Sequence, residues 1–182
     1  FLLTQRDALQ YIRDYTIIKI NEHYTLDEII ATITLPSSLA GSPYLQGYAS
    51  DVPSIVRAVW NEHLGWWGGH PTELAHTLTE DVKAQVLADA LGGVDNLLAA
   101  ARQAELNARD LPGADKALYL ADAAYRMAPD NFEAKQIYAQ TLRKNAFMQT
   151  SAYKRNYYIS VANSLGTEQF VSDINKIGAE DT

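Results

Sequence analysis

Apolar residues recur at three- and four-residue spacings through most of this chain, and proline or glycine marks the places where the rhythm stops. Ala8, Leu9, Ile12, Tyr15, Thr16, Ile20 and His23 share one face of a helix that Thr4 can cap and that runs to about Glu22. Thr25-Leu26-Asp27-Glu28 reads as a capping box, in which Thr25 accepts from a backbone N–H and Glu28 reaches back. The helix it opens must be short, because Pro36 follows, so the first two helices form a pair joined by a tight turn. From Leu35 to Ser50 the pattern dissolves into Pro, Ser and Gly studded with Leu39, Tyr44, Leu45 and Tyr48. A long loop with that many large apolar groups packs against something or covers a cleft. Asp51 then caps a helix over Val52–Leu64, with Pro53 suited to its first turn.

That helix runs into the most unusual stretch of the chain, where Trp60, Trp66 and Trp67 lie close to Gly65, Gly68, Gly69 and Pro71. The glycines supply backbone freedom, the proline stops the helix, and each indole can bury a large area. The residues predict a docking point rather than a loose linker, its plainest form being a helix end whose tryptophans plug a core. Beyond it, Thr79 followed by Glu80 and Asp81 opens a helix that Gly92-Gly93 closes. Four more are predicted in pairs, near 94–108, 114–127, 131–145 and 151–165, with breaks at Leu111-Pro112-Gly113, Pro129 and Gly166. Ala117, Ala121, Ala124 and Pro129, followed by Asn131-Phe132-Glu133-Ala134, fall at spacings like those of a tetratricopeptide repeat. Alanines at those positions let paired helices approach closely. Tyr119, Tyr125, Tyr138, Tyr153, Tyr157 and Tyr158 are the bulky groups between them, expected in the core or facing a partner. Phe170, Val171, Ile174 and Ile177 could add a further amphipathic turn before the end frays. The fold class is therefore all-α: a helical array with tetratricopeptide-like pairs, preceded by a helix-loop-helix segment.

Composition narrows the chemistry. A formal charge of −7 over 182 residues argues against a general phosphate-backbone binder. The basic cluster Arg143-Lys144 and Lys154-Arg155 then reads as helix surface charge rather than a nucleic-acid site. There are no cysteines, which excludes disulfides and thiolate metal sites. No apolar run is long enough to span a bilayer, and Phe1-Leu2-Leu3 looks like the middle of something rather than a start. The four histidines, His23, His63, His70 and His76, make no HxH, HxxxH or HExxH pairing, so no metal ligands are assigned in this chain. Neither a Gly-x-Ser-x-Gly elbow nor a phosphate-binding glycine loop is present, and no catalytic residue is assigned.

Val56-Arg57-Ala58-Val59-Trp60 and Leu64-Gly65-Trp66-Trp67-Gly68-Gly69-His70-Pro71 resemble the "VRAVY…LGWFDGNP" run of alkyl sulfatases with a metallo-β-lactamase fold. The likeness continues upstream in Arg6-Asp7-Ala8-Leu9-Gln10-Tyr11-Ile12 and downstream in Ala128-Pro129-Asp130-Asn131-Phe132-Glu133-Ala134. In that family the run joins a zinc-binding catalytic domain to an all-helical dimerisation domain. The resemblance implies that residues 1–70 are the end of the catalytic-domain and linker helices, 71–166 the dimerisation domain, and 167–182 a C-terminal extension. It also implies that zinc, held elsewhere by a His-x-His-x-Asp-His motif and other ligands, serves a parent hydrolase of sulfate esters. This chain would hold no cofactor itself. Its partners would be a second copy of itself and the parent's catalytic domain, with neither nucleic acid nor membrane. Tyr48, Arg57, Trp60, Trp66 and Trp67 are the candidate rim or support of the substrate pocket, Arg57 being suited to a sulfate oxyanion or equally to a structural salt bridge. Ser54 stands where many relatives carry histidine in "GYYGTVSHNVRAVY", and Gly68 and His70 replace the usual Asp and Asn. A parent of this kind fits the periplasm or secretion. Two other readings stay open: a free-standing helical adaptor that holds a peptide in a tyrosine-lined groove, and a self-sufficient hydrolase with its pocket under residues 36–50.

Overall fold

A computed structural model describes residues 2–166, so the expected turn at Phe170, Val171, Ile174 and Ile177 lies outside the described residues. Among those described there are helices and turns and no strand, and the fold is all-α. The chain divides into two compact units, one running to Thr77 and including Thr150–Tyr153, the other made of Leu78–Gln149 and the chain from Lys154 onward.

The first unit holds α1 (Leu2–Asn21), α2 (Leu26–Thr32), the one-turn α3 (Ser37–Ala40) and α4 (Val52–Leu64), with single 3₁₀ turns at Pro43–Leu45 and Pro71–Leu74. Thr4 lies inside α1 rather than capping it, since Leu2 and Leu3 are strong helix formers. The buried stripe of α1 is narrower than its apolar pattern: Ala8, Ile12 and Thr16 are buried while Leu9 is exposed. Thr16 can sit in a core because its Oγ1 donates to the Ile12 carbonyl at 2.7 Å. The turn into α2 is made by His23 at φ 65°, the one described non-glycine residue with positive φ. Thr25 and Glu28 form the predicted capping box. The stretch 35–50 is more regular than its pattern suggests, because Pro36 starts one helical turn and the Ser42 side chain accepts from the Tyr44 N–H to start another. Asp51 caps α4 by accepting from the Ser54 N–H at 3.0 Å. Ile12, Leu26, Ile29, Val56 and Trp60 make the core of this unit.

The second unit holds α5 (Glu80–Ala90), α6 (Val94–Asn107), α7 (Leu111–Met127), α8 (Phe132–Met148) and the greater part of α9 (Ala152–Ser164). The predicted break at Leu111-Pro112-Gly113 is instead the first turn of α7. Pro112 sits where its missing N–H is not needed, and Asp110 Oδ1 accepts from the Gly113 N–H at 2.8 Å. Ala114, Ala117, Ala121 and Ala124 line the buried side of α7. Such small side chains let α6 and α8 pack close on either side of it. One core joins Ala84, Ala88, Leu97, Ala101, Ala121 and Ile137 among others; a second joins Ala139, Leu142 and Ala162. Polar links bridge distant helices: Arg126 pairs with Asp122 on its own helix and with Asp81 at the start of α5. Lys144 Nζ meets Glu105 Oε1 at 2.7 Å, both side chains being mostly buried. Arg143 is 9% exposed, so the basic cluster read as surface charge is in part an interior feature. Desolvation holds its guanidinium below the ordinary arginine range.

Candidate functional site

The tryptophan turn is laced to its own unit at several points. Trp60 is buried on the inner face of α4, and its Nε1 donates to the Trp67 carbonyl at 2.8 Å. Trp67 Nε1 donates in turn to the His70 carbonyl at 2.9 Å. The Leu26 N–H at the start of α2 donates to the Gly68 carbonyl, and the Gly68 N–H donates to Glu73 Oε2 at 2.7 Å. Gly69 has φ 100°, and a Cβ there would come within 3.3 Å of the Thr25 side chain, so turn and capping box touch only because this residue is glycine. Glu28, held by the Thr25 N–H and hydroxyl, has its carboxyl below the ordinary range. This corner is tied down by those hydrogen bonds, but it is not a triple plug: Trp66 is 70% exposed and Trp67 38%. The helix period of α4 aims Trp60 inward, whereas Trp66 follows Gly65 at φ 79°, which takes the chain out of that register.

The other candidate pocket residues do not converge on one point. Arg57 Nη2 lies 3.6 Å from Asp27 Oδ1, and His70 Nε2 lies 3.7 Å from Asp27 Oδ2, all on exposed surface. Tyr48 is on the 44–50 segment, where its carbonyl accepts from the Ala152 N–H at 2.8 Å and the Ala49 carbonyl accepts from the Ser151 hydroxyl at 3.1 Å. That segment covers a cavity of about 420 Å³ lined by Ala8, Leu9, Ile12, Leu35, Tyr44 and Tyr48 among others. Its polar side chains are Gln5, Tyr44, Tyr48 and Ser50, which offer hydrogen bonds and no carboxylate or imidazole. Sequence reasoning anticipated that the loop covers something; it did not single out Gln5 or Ser151, whose roles depend on residues far away in the chain.

The donor set for a metal can be tested directly. Among the described residues no three His, Asp or Glu side chains stand where they could hold one ion together. His70 lies 3.7 Å from Asp27, and the Arg57 cation faces the same carboxylate, where it repels a metal. The described residues do not fit a zinc site.

Residues 25–168 match the model of the alkyl sulfatase dimerisation family. The chain belongs to that family. It is 34% identical over 161 residues to a linear primary-alkylsulfatase of a Pseudomonas strain, covering 88% of this chain and 30% of that protein. Against the alkyl/aryl-sulfatase of Saccharomyces cerevisiae the identity is 29% over 162 residues, covering 87% of this chain and 24% of the yeast protein. The solved structure of the stereoselective inverting sec-alkylsulfatase of a Pseudomonas species superposes with a TM-score of 0.81 at 26% identity, over 90% of this chain and 25% of the other. This member of the dimerisation family thus spans between about a quarter and a third of the length of the alkylsulfatases it matches.

Proposed function

We propose that this chain is the dimerisation and scaffold portion of an alkyl sulfatase-like, zinc-dependent hydrolase of sulfate esters, and that its own task is to join two copies. The observation that carries the reading is the family match, which takes in α2 to α9 without interruption. Helices whose buried sides are alanine and whose outer sides keep tyrosine, leucine and valine exposed support it. Covering such surface is worth roughly 25 cal/mol per Å². On this reading residues 1–70 belong with the catalytic and linker part, 71–166 with the dimerisation domain and 167–182 with an extension. Tyr48, Arg57, Trp60, Trp66 and Trp67 would then shape or support the parent's pocket from outside its reacting centre. Zinc would be held by the catalytic part, and no chemical step is assigned to residues of this chain. Sedimentation of the chain at micromolar concentration is expected to give a dimer; a stable monomer would overturn the proposal. The coding DNA upstream of Phe1 is expected to carry, in frame, a histidine- and aspartate-rich metal motif, and a different domain there would remove the parent enzyme from the reading.

A further inference from the structure

Segment 44–50 of the first unit is fastened at three points above the cavity it covers. The Gln5 amide of α1 donates to the Tyr44 carbonyl, the Ala152 N–H to the Tyr48 carbonyl at 2.8 Å, and the Ser151 hydroxyl to the Ala49 carbonyl at 3.1 Å. Residues 150–153 belong to the same compact unit, so these ties are internal to it. Protein interiors pack as densely as organic crystals and leave few voids larger than a water molecule. A space of about 420 Å³ beneath a segment bonded in this way is a formed cavity, of the size that small-molecule sites have.

Its wall and its mouth differ in kind. Ala8 and Ile12 of α1 are buried and Leu35, Val52 and Ile55 half-buried, so the inner wall is aliphatic. Tyr44 and Tyr48 are 56% and 66% exposed and Ser50 is exposed too, which puts hydroxyls on the solvent side. Among the described residues that line it, none is charged. The neighbouring Asp51 is a carboxylate whose Oδ1 already accepts from the Ser54 N–H and hydroxyl. An anionic head would meet that charge with no lining cation to offset it, and burying an unpaired charge is costly.

We propose that this cavity binds an uncharged amphiphile, an aliphatic body of about eight to ten carbons with a hydroxyl head at the tyrosine mouth. The inference goes beyond the dimerisation reading and does not need it, and it excludes a sulfate ester as the occupant. Size supports it: a dry apolar cavity of about 150 Å³ takes one benzene ring, and on that scale this one takes up to roughly fifteen heavy atoms. A peptide strand fits less well, because its backbone needs partners. The carbonyls of Tyr44, Tyr48 and Ala49 along the cavity are already engaged.

Calorimetric titration of the full chain with 1-hexanol, 1-octanol, octyl sulfate and octylammonium tests this, with methyl-detected NMR to locate the ligand. 1-Octanol is expected to bind saturably and about tenfold or more tighter than 1-hexanol, since each buried CH₂ contributes about fourfold. It should also bind about tenfold or more tighter than either charged ligand. Shifts are expected on the Ile12 and Ile55 methyls. Leu9 lines the cavity and is 49% exposed, so L9E places a charge there without opening a core and should weaken 1-octanol about tenfold or more. Ile18, 55% exposed on the same helix and outside the cavity, supplies the control: I18E should stay within about threefold. Circular dichroism checks both variants, and if L9E loses helix the ligand series on the unaltered chain decides. No saturable 1-octanol binding, equal or tighter binding of a charged ligand, shifts elsewhere, or a folded L9E that binds like the parent would each overturn the site. Sedimentation bears on the dimer reading alone, so the two readings fail independently.

Discussion

Three tryptophans that look alike in the sequence have different physical roles. Trp60 is 3% exposed and its indole N–H is paired, so W60A removes a packed ring and leaves the Trp67 carbonyl without its donor. Such truncations cost about 3–5 kcal/mol, and urea unfolding of W60A should show a loss of that size. Trp66, 70% exposed, should change stability by less than about 0.5 kcal/mol on conversion to alanine in the same measurement. Asp115 gives a pH test. Burial raises its carboxyl above the unfolded value, so the folded chain holds this proton more tightly. The stability linked to it is fully present below the ordinary carboxylate range and is lost as pH rises through the raised value. D115N should therefore be more stable than the parent chain at neutral pH, and the difference should vanish by about pH 3. Thermal melts at fixed protein concentration decide it; an advantage that persists in acid would contradict the assignment.

At the scale of elements, helix ends and helix sides obey different rules. The N-caps are local, and D110A, which strips the acceptor from the Gly113 N–H, should cost about 1 kcal/mol. Sides are set by distance to the next helix. Ala121 is 1% exposed, on the face of α7 that faces its neighbours, so A121L forces α7 away from them. Overpacking of this kind typically costs about 1–3 kcal/mol, and denaturant titration of A121L should show at least that loss. The alanine spacings that resemble a tetratricopeptide repeat have this same origin: any two helices packed so closely need small residues at those positions.

At the scale of the molecule, a helical segment covering about 30% or less of its relatives' length carries exposed aromatic faces and matches a dimerisation family. The aromatic corner and the capping box tie one unit together, and the alanine-lined helices form the other. Dimer formation by sedimentation remains the measurement on which the proposed task turns.

Much of the architecture was legible before any coordinates. Thr25 with Glu28, Asp51 and Thr79 each start the helix their types predict, because a cap acts within three residues of itself, whereas Thr4 lies inside its helix. Pro112-Gly113 misled, since the same dipeptide suits a break or a first turn, and only the Asp110 cap distinguishes them. What the tertiary structure alone decided is which surfaces meet: that Trp60 goes in and Trp66 stays out, that Arg143 is enclosed, and that Tyr119 and Tyr157 rim one groove. The physical reason is range. Helix starts depend on hydrogen bonds within one turn of the chain, which the order of residues specifies directly, whereas burial depends on side chains that only folding brings together.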